Sequence, residues 1–76
     1  MSSAFNRSEM VRLQKYLQAK FGNQNLTLAE RKEAKDSVEV TLSGEFLGII
    51  YKDEDEGDVS YDLNMAILEA DLPPAA

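Results

Sequence analysis

The stretch "SVEVTLSGEFLGIIYKDEDEGDVSYDLNMAIL", residues 37–68, decides the fold. Val38, Val40 and Leu42 alternate with polar residues, and Val59, Tyr61, Leu63, Met65 and Ile67 recur at every second position. Between them lies the apolar run Glu45–Lys52. Period-two alternation is the signature of strands with one buried face, and the glycine-bearing breaks between the runs read as hairpin turns. Ser43-Gly44 predicts a two-residue turn, which pairs Leu42 with Glu45, Val40 with Leu47 and Val38 with Ile49. Asp55-Glu56-Gly57 predicts a three-residue loop with Gly57 in the left-handed conformation. Glu54 then opposes Asp58, Tyr51 meets Tyr61, Ile49 meets Leu63 and Leu47 meets Met65. Both turns place Val38, Val40, Leu42, Leu47, Ile49, Tyr51, Val59, Tyr61, Leu63, Met65 and Ile67 on one face. A one-residue slip would turn the fourth strand inside out.

Upstream, Asn6 and Glu9 have capping-box spacing, and Phe5 and Met10 sit where a hydrophobic staple would lie. Met10, Leu13, Leu17 and Phe21 form a stripe at helical spacing, and Gly22 suits the stop. "NLTLAER", residues 25–31, reads as the first strand and "KEAKD" as a polar connector. The expected fold is α+β, one N-terminal helix packed on a four-stranded antiparallel β-meander. Residues 1–76 make one small domain: a flexible arm over 1–5, the helix over about 6–21, the meander over about 25–68 and a frayed tail over 69–76. A short helix capped by Asn64 competes with the end of the last strand over residues 64–72, because Met, Ala, Leu and Glu are good helix formers.

Composition narrows the function classes. The 76 residues contain no cysteine, histidine or tryptophan, so disulfides, zinc-thiolate sites and imidazole-assisted nucleophiles are excluded. No segment holds the roughly 20 apolar residues of a membrane-spanning helix. The expected setting is cytoplasmic, with no membrane partner. The net charge of −6 divides unevenly. Residues 1–35 carry seven basic and three acidic side chains, whereas residues 36–76 carry Lys52 against eleven acidic ones. An acidic chain whose strands show no basic patch interleaved with aromatics is a poor nucleic-acid binder, and none is expected as a partner.

The segment "EFLGIIYKDEDEGDVSYDLNMAIL", with its glycine-containing strand, acidic "DEDEGD" turn, "SY" pair and "NMAIL" end, resembles a family of very short alphaproteobacterial proteins classed as a domain of unknown function. The similarity spans roughly Ser8 to Leu72. The resemblance implies a compact α+β cytoplasmic protein and carries over no catalytic residues.

Asp53, Glu54, Asp55, Glu56 and Asp58 crowd one hairpin tip, more acid than a turn needs. Asp53, Asp55 and Asp58 resemble the start of a calcium loop, but the twelfth position, where a bidentate Glu belongs, is Asn64. The expected register turns Phe46 and Ile50 outward beside Gly48, an apolar island away from the helix. The sequence therefore predicts a non-enzymatic protein-interaction module without a cofactor. Its candidate surface is Phe46, Gly48, Ile50 and the acidic residues Asp53, Glu54, Asp55, Glu56 and Asp58. Its partner is an unidentified protein or a second copy in a homodimer. The alternative is a weak divalent-cation-binding domain built on the acidic turn.

Overall fold

A computed structural model describes residues 4–75. Helix α1 spans Arg7–Phe21 and is followed by strands β1 (Leu26–Glu30), β2 (Ser37–Leu42), β3 (Glu45–Asp55) and β4 (Asp58–Asn64) and a short 3-10 turn at Glu69–Asp71. The strands form one antiparallel sheet in sequence order. The expected α+β meander is therefore the observed architecture.

Both ends of α1 are held by devices visible in the sequence. The Asn6 side chain accepts from the Glu9 N–H at 2.7 Å, and a Glu9 carboxylate oxygen accepts from the Asn6 N–H at 3.1 Å. This reciprocal capping box satisfies two of the donors a helix start leaves free. At the other end Gly22 adopts φ +63°, its N–H donates to the Ala19 carbonyl, and the Asn23 N–H donates to that of Gln18. That pair of bonds is a Schellman stop, which needs a left-handed residue at the glycine position.

Leu17, Leu26, Val38, Val40, Ile50 and Phe5 make the buried core, flanked by Met10, Leu13, Leu28, Leu42 and Leu47. Three of the four expected helix stripe residues thus face the sheet. Phe21 does not, and more than half of it is exposed. Gln18 already lies at the first residue of β1, its side-chain amide donating to the Leu26 carbonyl at 2.9 Å, so the last helical residues overhang the sheet. Phe5 is also a correction. Residues 1–3 of the expected arm lie outside the described residues, but Phe5 is core, and its N–H donates to the Lys35 carbonyl at 2.9 Å.

The register corrects the sequence reading at two points. Leu42 does pair with Glu45 across a turn whose central residues, Ser43 and Gly44, both have positive φ. A bulge then intervenes. Thr41 pairs with Phe46, but Val40 pairs with Gly48 rather than Leu47, and Val38 with Ile50 rather than Ile49. Leu47 is the extra residue, and beyond it every side chain of β3 is on the opposite face from that expected. The acidic turn is shorter by one residue than expected. Asp55 pairs with Asp58 across Glu56-Gly57, so that Lys52 meets Tyr61 and Ile50 meets Leu63. Glu56 at φ +51° and Gly57 at φ +86° have the two positive angles of a primed turn. Gly57 is left-handed as predicted, but the three-residue loop is not what it serves.

β4 ends at Asn64, so Met65 and Ile67 are not strand residues, and the competing helix is reduced to the 3-10 turn. The cause lies at Gly48, where an added Cβ would run into the Asn64 carbonyl oxygen and approach the Met65 Cα. The chain leaves the sheet by crossing the one β3 residue that has no side chain to obstruct it.

Candidate interaction surface

The revised register relocates the predicted surface. Ile50 is 2% exposed and belongs to the core, and Gly48 is buried beneath Asn64 and Met65. The expected outer island is therefore not formed. Phe46 alone of the three is exposed, beside Leu47 and the tail residues Met65, Ala66 and Ile67. Asp53, Glu54, Asp55, Glu56 and Asp58 are all exposed on the hairpin tip. Their side chains divide between the two faces of the hairpin, because Asp53 pairs with Ser60 and Glu54 with Val59 on alternate sides. Among the described residues no group of three or more acidic side chains converges on a possible cation position. No described helix is long and apolar enough to cross a membrane.

The helix-facing side of β3 and β4 holds what sequence reasoning missed. α1 lies over β1, where the Gln14 side-chain oxygen accepts from the Leu28 N–H at 2.9 Å and the Gln18 amide donates to Leu26. Leu26 and Leu28 point these backbone groups away from β2, so the two glutamines occupy the free edge of β1. The helix is thereby drawn to one side of the sheet. Over β3 and β4 it leaves an open groove of about 340 Å³, floored by Ile50, Tyr61 and Leu63 and walled by Arg12, Leu13 and Tyr16. Tyr16 is 59% exposed, and Val59, Tyr61 and Leu63 are exposed as well.

A polar lock closes the helix N-terminal end of the groove. Lys52 donates to Glu9 at 2.9 Å and Tyr61 donates its hydroxyl to the same carboxylate at 2.6 Å. Both Lys52 and Glu9 side chains are nearly buried, at 8% and 11% exposure. The Phe5 ring leans on Tyr61 with centroids 5.7 Å apart. Burial opposes ionisation of Glu9, but the bonds from Lys52, Tyr61 and the Asn6 backbone outweigh it and hold its pKa below the usual carboxylate range. The bond to Glu9, with burial and the nearby negative charge, raises the pKa of the Tyr61 phenol. Glu9 was legible only as a capping residue. Its second role depends on Lys52 facing the helix, which the bulge brings about.

The open edge of β4 completes the surface. Residues flanking a two-residue hairpin turn exchange backbone hydrogen bonds, and bonded and non-bonded pairs alternate from there. Asp58, Ser60, Asp62 and Asn64 therefore direct their N–H groups to β3, and Val59, Tyr61 and Leu63 direct theirs outward. The Lys52 N–H, turned to the Asp36 carbonyl at 3.0 Å, confirms the phase on the neighbouring strand. The residues with free backbone groups are thus the ones whose side chains face the groove.

The model of the family described as "Protein of unknown function (DUF3126)" matches residues 9–71, and the chain belongs to that family. No curated protein and no solved structure matches it.

Proposed function

We propose that this DUF3126 member is a small non-enzymatic protein-interaction module that takes up an extended partner segment along β4. The contrast between the sheet's two edges carries the reading. Gln14 and Gln18 occupy the edge of β1, while β4 keeps outward backbone groups at Val59, Tyr61 and Leu63 beside an apolar groove. Unpaired edges invite strand addition, and natural folds cover or disrupt those that are not used. An added strand would gain affinity from main-chain bonds and selectivity from alternate side chains resting in the groove. The acidic tip would attract cationic groups on the partner and speed encounter more than it strengthens the complex. A cytoplasmic setting is part of the same proposal. Weak cation binding at the tip has less support, because its carboxylates splay to both faces of the hairpin.

The test is selection of displayed random peptides against the dilute chain. The expected peptides alternate apolar and polar residues. Val59→Pro removes one outward N–H and leaves the β3 ladder intact, since proline is tolerated on a strand edge. It should release the selected peptides. Failure to select any peptide, or unchanged capture by the variant, sinks the reading.

A further inference from the structure

We infer that the segment β4 accepts is β4 of a second copy of this chain, paired antiparallel about a two-fold axis through Tyr61. The inference rests on the strand-accepting reading above and adds the identity of the occupant.

The sequence of β4 is self-complementary in that arrangement. "DVSYDLN" folded about Tyr61 sets Asp58 opposite Asn64, Val59 opposite Leu63, Ser60 opposite Asp62, and Tyr61 opposite itself. No two charges of like sign face each other, although the strand and its turn are strongly acidic. A shift by two residues in one direction would set Asp58 against Asp62, and like charges directly opposed destabilise a sheet. The backbone phase agrees. Val59, Tyr61 and Leu63 are the residues with outward N–H and carbonyl groups, and the centred register pairs Val59 with Leu63 and Tyr61 with Tyr61. Each of those pairs can exchange both of its bonds.

A two-fold axis perpendicular to the sheet keeps both helices on the same face. The two grooves then adjoin, and Val59, Tyr61 and Leu63 of each copy form one apolar strip between the helices. Charge follows the same geometry. α1 runs antiparallel to β1 and therefore parallel to β4, with Glu9 at Tyr61. Arg12 lies on the groove wall, and Lys20 lies two turns further along the same side of the helix. The acidic tip of one copy extends past Asn64 of the other, toward this basic flank. The tail does not obstruct pairing, because after Asn64 the chain turns inward over Gly48 of β3, away from the open edge.

Cysteine cross-linking tests the register directly, since the chain has no cysteine of its own. Ser60 and Asp62 project from the face opposite the groove, and their cross-copy pair is non-hydrogen-bonded, with Cα atoms at about 4.5 Å, within disulfide reach. The double variant Ser60→Cys with Asp62→Cys should oxidise to a species of twice 8.5 kDa on a non-reducing gel. Ser60→Cys alone should stay monomeric on that gel, because like positions are offset along the strands by two residues. Equal cross-linking by both variants overturns the pairing proposed. Sedimentation equilibrium of the unmodified chain at micromolar concentration should give the dimer mass. Val59→Pro should give the monomer mass with an unchanged circular dichroism spectrum. If that variant unfolds, the cysteine pair still decides. A monomer that captures selected peptides along β4 overturns this inference and leaves the proposed function standing. A monomer that captures none overturns both.

Discussion

At the scale of single residues, Ile49 and Ile50 show how adjacent identical side chains acquire opposite roles. The bulge at Leu47 turns Ile50 into the core and Ile49 toward the other face. Ile50→Ala should cost about 2–5 kcal/mol in urea unfolding, the range for truncating a buried isoleucine. Ile49→Ala should cost clearly less, because Ile49 is only partly buried. Equal losses would count against the bulge. The sequence contained the cue, Gly48 within an apolar strand, since a glycine there often marks a bulge or a close backbone approach. What was not legible was which chain segment approaches. Asn64 lies 16 positions downstream, and only the folded path brings its carbonyl over the glycine.

At the scale of elements, the helix, its caps and the strand order were all readable because each rests on local chemistry. Asn6 with Glu9, Gly22, and Ser43-Gly44 specify their own geometries within a few residues. The β3–β4 hairpin was harder. The bulge at Leu47 adds one residue to β3 and the acidic turn is one residue shorter than its sequence suggests, so the two offsets cancel along β4. β4 therefore keeps the expected face while the second half of β3 is reversed, which is why Tyr61 and Leu63 were placed correctly and Ile50 was not. The loop was overcounted because Glu56 is an unfavourable left-handed residue, and nothing local marks it as one. Two changes at this turn have opposite expected signs. Gly57→Ala should destabilise by about 1–2 kcal/mol, from backbone strain alone, since no atom lies within 4 Å of the added methyl group. Glu56→Asn should stabilise the hairpin by supplying the Asn-Gly pair that primed turns favour and removing one charge from the tip. Thermal denaturation of both variants measures the signs, and stabilisation by the alanine would refute the turn geometry.

At the scale of the whole molecule, the Glu9–Lys52–Tyr61 lock joins the helix start, β3 and β4, with the Phe5 ring tilted against Tyr61. Its pH dependence has a definite sign. The folded-state pKa of Glu9 is depressed, so its contribution is present above the unfolded carboxylate value of about 4.3 and is lost as pH falls through the lower folded value. The folded-state pKa of Tyr61 is raised, so its contribution is complete below the unfolded phenol value of about 10 and is lost as pH rises through the higher folded one. Glu9→Gln should flatten the acid limb of a stability–pH profile, and Tyr61→Phe the alkaline limb. A variant profile parallel to that of the parent would show that the lock contributes nothing.

The glutamines on β1 have a wider consequence. A sheet with two bare margins can be extended without limit, each newcomer offering the next a place. With the Gln14 and Gln18 side chains holding the Leu28 N–H and the Leu26 carbonyl of one margin, a copy joined at β4 as proposed would present an edge already engaged at its centre. Growth by further strand addition would have to displace those side chains first, so a small acidic chain could leave one strand bare with less risk of becoming the seed of a fibre.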